Sequence, residues 1–225
     1  MQPVQMPQMR NPDGSGMSLI EEIISGLPND IPVTGIDIGP FDTLVKSRHW
    51  GLSSTFRDPC GTAGAAWVRG AGNLLGKPVS EIARFASSSR LLEASLGMAA
   101  INSALDPDGF TFHRLNAADL VLEKGRGRKV AVVGNFPFLE KLRPQLGDLR
   151  VIHREPTRAA EGVTEAEKAL PEAEVAAITG SSFITGTAQR LLALCPRAYI
   201  VVLGPTTPFS PVLFDYGVDA ICGTR

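Results

Sequence analysis

From Lys129 onward the chain alternates short β-rich runs with helix-like segments, and this rhythm limits the fold more than any other feature. The runs "KVAVVGNF", "LRVIHREP", "EVAAITGS", "AYIVVLGP" and "VDAICG" recur at roughly 20–25 residue spacing. Between them lie "FLEKLRPQL", "TEAEKAL", "TAQRLLALC" and "PVLFDY". Strands that alternate with helices predict a parallel, doubly wound sheet, with right-handed crossovers. The C-terminal half therefore reads as a Rossmann-like α/β domain.

The N-terminal half has a different pattern. Ser18 and Glu21 stand at capping-box spacing ahead of an apolar helix face, and Gly26-Leu27-Pro28 ends that helix. "VTGIDIGPFDTLVKS" and "HWGLSSTF" alternate with period two around Gly-Pro punctuation, as antiparallel strands of a small meander do. "PVSEIARFA" reads as a short helix, and "SRLLEASLGMAAINSAL", Ser89 to Leu105, as a central helix apolar on nearly every side. The charged, Gly-containing stretch "EKGRGRK" marks the change of rhythm. The expected division is a disordered tail over 1–16, an α+β domain over 17–122 and the α/β domain over 127–225.

Composition narrows the function classes. Of 225 residues, 44% are apolar and 20% charged, ordinary values for a soluble globular protein. The net charge of −1 supplies no broad basic field, so nucleic acid is not an expected partner. No apolar run reaches about 18 residues, so no membrane span is expected. Three scattered cysteines, Cys60, Cys195 and Cys222, fit neither a disulfide framework nor a thiolate zinc site. A reducing, cytoplasmic setting follows.

In a doubly wound sheet, ligands bind outside the carboxyl ends of the strands. The candidate ligand-binding residues at those ends are Gly134, Asn135 and Phe136, then Glu155, then Thr179, Gly180 and Ser181, then Gly204, Pro205, Thr206 and Thr207. The first loop lacks G-x-G-x-x-G, so a dinucleotide pyrophosphate has no usual approach. Glu155 lies 21 residues past Gly134, where an acidic residue can meet a ribose hydroxyl; a solvated strand-end glutamate is an equal reading. Capping explains single hydroxyls: Ser210 ahead of Pro211, and Thr185 or Thr187 ahead of Leu191, read as N-caps. The gathering of Thr179, Ser181, Thr206 and Thr207 at neighbouring strand ends points to a ligand.

No nucleophile motif and no metal-ligand spacing is present; His49, His113 and His153 fall in three separate segments. His153 stands near the second strand end, where it either faces the crevice or is structural. Asp37, Asp42, Glu93 and Glu155 could assemble a metal site only across domains. Glu93 and Asn102 are nine positions apart on one helix, hence on opposite faces. An ion pair for Glu93 and a backbone hydrogen bond for Asn102 are the structural readings. Asp37 and Asn102 stand as interdomain candidates.

"VVGNFPF", "AAITGSSFITGTAQRLL" and "VVLGPTTPFSPVLFDYGVDAICG", with "SLGMAAINSAL" upstream, resemble a heavy-metal chelation family whose domain has no established function. The resemblance covers most of residues 17–225. It implies an N-terminal α+β domain similar to the N-terminal domain of enolase, a Rossmann-like parallel-sheet domain after it, and a site between the two. Enolase activity is not implied, because the catalytic barrel has no counterpart. Family members often carry Gly-Asp after the Glu-Pro of the second strand, where this chain has "EPTRAAEGV". They usually continue beyond the last strand, so a closing helix is expected past Arg225. The resemblance further implies a transition metal ion as the candidate cofactor and a small molecule or metal complex as the partner. A homodimer is a candidate assembly. An enzyme using a nucleotide-like cofactor, such as a methyl donor, and a scaffold with a vestigial crevice are the rival readings.

Overall fold

The computed structural model describes residues 16–57, 68–106, 108, 110–113, 116–153 and 161–224, without the side chains of 161–164. The tail expected over 1–16 falls almost wholly outside these residues, as do Cys60 and Glu155.

Helix α1, Leu19–Ser25, opens with the capping box: the Ser18 hydroxyl accepts from the Glu21 N–H, and the Glu21 carboxylate accepts from the Ser18 N–H at 2.8 Å. Three strands follow, β1 (Gly35–Ile38), β2 (Asp42–Lys46) and β3 (Trp50–Ser54), paired antiparallel in the order β1-β2-β3. Alternate residues turn inward. Thr43, Val45 and Ser53 are fully buried, whereas Asp42, Lys46 and Trp50 are exposed. Helix α2, Val79–Ala83, continues as a 3₁₀ turn over Arg84–Ser87 and leads to α3, Leu91–Ala104.

Every residue of α3 except Asn102 is buried. Two glycines make this possible. A Cβ at Gly51 of β3 would stand 2.2 Å from both Ala99 O and Ser103 N, and a Cβ at Gly97 would stand 2.0 Å from Ala86 N. Backbone therefore lies on backbone on two sides of the helix. The hydroxyls of Ser95 and Ser103 are buried too, but each has a partner: Ser95 Oγ accepts from the Phe56 N–H, and Ser103 Oγ pairs with Ser47 Oγ.

The second sheet is parallel, with order β5-β4-β6-β7-β8 over Asp148–Ile152, Lys129–Val133, Val175–Thr179, Tyr199–Leu203 and Ala220–Cys222. The five runs read from sequence are these five strands. Their side chains divide between two cores. Ala131, Val133, Ala176, Ile178, Ile200 and Val202 join the cluster that also holds α1, α2 and α3. Val130, Val132, Val175, Ala177 and Leu203 pack on the other face.

On that other face lie α4, Ala117–Gly125, and α5, Leu139–Leu142. Helices α6 (Glu161–Ala169), α7 (Ser181–Ile184), α8 (Ala188–Ala193) and α9 (Val212–Asp215) accompany the first face. The N-terminal unit packs on the helices of that face, α3 against α7 and α1 against α9, and a single apolar cluster runs through both units. Helix α4 extends through the start of the charged junction and packs against β6 and β7. Its N-cap is Asn116, whose side chain accepts from the Ala118 N–H at 2.9 Å.

The expected hydroxyl caps differ in the structure. Thr187 is the N-cap residue of α8, but its hydroxyl bonds Ser182 O rather than a helix N–H. At α9 the cap position is Pro211, one residue later than Ser210, with no side-chain cap.

Glu93 is the charged group inside this core, with a side chain only 1% exposed. Burial by itself raises its pKa. Hydrogen bonds from Ser88 and Arg69, with the Arg69 charge, outweigh burial and hold the carboxyl below its usual value of 4.5. A carboxyl lowered by folding stabilises the fold above its unfolded pKa, and this contribution is lost as pH falls through the folded value. The melting-temperature gap between wild type and Glu93→Gln should therefore be present at pH 7 and shrink at pH 3.5 by calorimetry. A gap of the same size at both values would contradict this assignment. Gly51→Ala should lower the melting temperature by at least about 5 °C through overpacking. Gly147→Ala, where a Cβ meets nothing within 4 Å, should leave it unchanged.

Candidate functional site

In the order β5-β4-β6-β7-β8, the first strand of the sheet, β4, has its successor β5 on one side and β6 on the other. The crossover direction reverses at the β4/β6 pair, which makes it the topological switch point, where crevices form in open α/β sheets. A cleft of about 510 Å³ lies there.

Each wall comes from a strand end. Gly134, Asn135 and Phe136 follow β4, and His153 follows β5. Thr179 ends β6 and Ser181 opens α7; Gly204, Pro205 and Thr206 follow β7. Ser54 and Phe56, from the end of β3, complete the lining on the meander side.

Gly134 is required by its surroundings. Its φ is +117°, and a Cβ would meet Thr179 Cβ at 3.0 Å and the Phe136 ring at 3.2 Å. The ends of β4 and β6 thus touch, with the phenyl ring turned across the glycine. On the floor, Thr179 Oγ1 and Ser181 Oγ bond each other at 3.0 Å, and Thr179 Oγ1 accepts from the Ser181 N–H at 3.3 Å. Strands β6 and β7 are neighbours, with Thr179 opposite Leu203.

The two threonines of the Pro-Thr-Thr-Pro loop have different tasks. Thr206 Oγ1 accepts from the Ser54 N–H at 2.9 Å and donates to Ser54 Oγ at 3.3 Å. It borders the cleft, yet its hydroxyl ties the parallel-sheet unit to the end of β3. Thr207 is 1% exposed and packs on Gly180, where a Cβ would meet Thr207 Oγ1 at 2.4 Å. The Thr207 hydroxyl is buried without a hydrogen-bond partner among the described residues. Thr207 and Gly180 therefore support the cleft from behind.

Asn102 is set on the same seam. Its side-chain amide donates to Leu52 O at 2.8 Å and to Thr206 O at 3.2 Å. It borders a second cavity of about 570 Å³, which His49 also lines. Asp37 lies on the exposed side of β1, opposite Leu44, and does not border the cleft. Glu93 sits at the opposite end of α3 in its ion pair with Arg69. Glu155 lies outside the described residues. Ser54 and Phe56 carried no signal in the sequence, because only the contact with Thr206, 152 residues away, brings them to the cleft.

The two described cysteines, Cys195 and Cys222, do not line the cleft. Burial pushes the Cys195 thiol up to about 12 and raises that of Cys222. Among the described residues no three His, Cys, Asp or Glu side chains gather as a metal site. The cleft offers hydroxyls, the Asn135 side-chain amide and one imidazole.

The cleft thus lies at the switch point of a Rossmann-like sheet, and the end of the antiparallel meander lines it on one side. The chain belongs to the DUF364 family. The model of that family matches residues 116–225 and that of DUF4213 matches residues 20–105, both described as "Putative heavy-metal chelation".

A crystal structure of a DUF364-family protein of unknown function from Desulfitobacterium hafniense superposes with a TM-score of 0.77 at 31% identity, covering 91% of this chain and 85% of that one. A DUF364-family protein from Pyrococcus horikoshii shares the fold, with a TM-score of 0.62 at 20% identity over 86% of this chain and 80% of the other. An uncharacterized protein of Methanocaldococcus jannaschii is 32% identical over 170 residues, 70% of this chain and 65% of that protein's length.

The roles of the two threonines separate by substitution. Thr206→Val leaves the Ser54 N–H without its acceptor, at about 1–3 kcal/mol, and should lower the melting temperature by about 3–10 °C. Thr207→Val replaces an unpartnered hydroxyl with a methyl of similar shape and should leave the melting temperature within about 1 °C or raise it. Equal losses in both variants would contradict the assignment.

Proposed function

We propose that this chain binds a small anionic molecule, or a metal complex through its anionic oxygen atoms, in the cleft at the switch point. The observation that carries the reading is the paired Thr179 and Ser181 hydroxyls at the end of β6. One O–H is shared within the pair, and a hydroxyl rotates to suit its partner, so the pair can turn an O–H group toward an oxygen atom of a ligand. The strand ends around them add Asn135 and His153 as further donors.

The metal implied by the family description needs a different set of donors. Soft heavy-metal ions select thiolate and imidazole ligands. The described residues of the cleft supply one imidazole, His153, and no thiolate. This set does not fit a bare heavy-metal ion; it fits the oxygen atoms of a chelate that already holds one. A role in heavy-metal handling is then served by binding the complex rather than by stripping the ion.

Two experiments test the reading. Protein purified without chelators should carry a small molecule or metal complex at one per chain in native mass spectrometry. Thr179→Val with Ser181→Ala should lose it while circular dichroism stays unchanged. Replacing Cys60, Cys195 and Cys222 together by serine should leave the stoichiometry intact. A bare metal ion that remains in the first variant and disappears with the cysteines would overturn the proposal.

A further inference from the structure

We infer that the chain has a second ligand site, separate from the switch-point cleft, which takes a free amino acid with a large apolar side chain. The site is the cavity of about 570 Å³ beside the end of α3, and it shares no lining residue with the cleft. Small-molecule pockets run from about 300 to 1,000 Å³, so its size suits a ligand of this kind.

Leucines supply much of the wall. Leu44 of β2 and Leu52 of β3 are partners in the ladder, out of phase with the inward-facing Thr43, Val45 and Ser53. Leu105, just after α3, and Phe209, in the loop after β7, line the same cavity. All four are only partly buried, so apolar surface is left for a ligand to cover.

The charged groups come as a pair. Arg48 Nη1 donates to Asp106 Oδ2 at 2.6 Å, and both residues line the cavity. Their side chains are 39% and 53% exposed, so a solute can reach both. A pair this exposed adds little to stability. Each member also keeps capacity for a ligand. Arg48 makes no other hydrogen bond among the described residues, and a guanidinium has five N–H donors. Asp106 accepts once more, from the Asp108 N–H at 3.0 Å, and a carboxylate has about four lone-pair sites.

The chain beside Arg48 is anchored. The His49 N–H donates to Ser103 O at 3.2 Å, and the ring Nε2–H donates to Asn102 O at 2.9 Å. The β2–β3 turn is thereby tied to the end of α3, which lowers the ordering lost on binding. A guanidinium and a carboxylate side by side in one cavity with leucines match the two charges of an α-amino acid. The ligand carboxylate takes the remaining N–H groups of Arg48, its ammonium takes Asp106, and its side chain covers the leucines and Phe209. An acid or an amine alone satisfies half of the pair.

Isothermal titration of the full chain compares probes that share one body or one head. L-phenylalanine should bind at least about tenfold more tightly than 3-phenylpropionate, which lacks the ammonium, or phenethylamine, which lacks the carboxylate. The same margin should separate it from glycine, which lacks the ring. Arg48→Gln and Asp106→Asn, with folding checked by circular dichroism, should each weaken L-phenylalanine by at least about tenfold. If either variant fails to fold, the wild-type ranking of the four probes decides. Equal affinity for the acid or the amine would overturn the amino-acid class, and equal affinity for glycine would overturn the apolar wall. L-phenylalanine binding that survives both variants would overturn the site, and no binding at millimolar concentration would overturn the inference. All of these outcomes leave the cleft reading standing, because that reading rests on other residues.

Discussion

The architecture depends on how closely the backbone of α3 lies against its neighbours. At Gly51 and Gly97 there is room for a hydrogen and nothing larger. This contact sinks α3 between the meander and the α2 turn, so that the helix is buried nearly all round. It also sets the height of β3 above the parallel sheet. Ser54, at the end of β3, then meets Thr206 after β7, and Asn102 of α3 reaches Leu52 and Thr206 together. The cleft has a second wall because those bonds form. Without the close helix contact, the strand ends of the parallel sheet would open to solvent on that side.

The chemistry of the cleft follows from what strand ends can supply. Buried parallel strands carry apolar side chains to their last residue, so polar groups begin where the sheet stops. Thr179 is that last residue on β6 and Ser181 the first of the next turn. Gly134 keeps β4 from obstructing them. The result is a floor of neutral oxygen donors with aromatic sides. On the proposed reading, such a surface recognises the oxygens and shape of a molecule rather than a bare ion. Burial raises the Cys195 and Cys222 thiols, neither of which lines the cleft.

Much of this was legible in the sequence, for identifiable reasons. The five strands announced themselves because each is a short β-rich run between turn residues. The capping box at Ser18 and Glu21 is local and formed as read. Gly134, Thr179, Ser181 and Gly204 were legible because strand ends in a doubly wound sheet converge on one edge. Ser54 and Phe56 were not legible, since a contact across 152 residues leaves no local pattern. The division of labour between Thr206 and Thr207 was hidden for the same reason. Adjacent threonines look equivalent until the neighbours of each are known. Helix α4 was not read from the sequence; its N-cap Asn116 accepts from the Ala118 N–H in the structure.

The most direct test is anomalous diffraction from crystals of native protein that has kept its copurified metal complex. The account predicts a metal peak in the cleft whose coordination is completed by atoms of a bound small molecule, with Thr179 and Ser181 hydrogen-bonded to that molecule's oxygens. A metal peak coordinated directly by cysteine sulfur, with no molecule against Thr179 and Ser181, would contradict it.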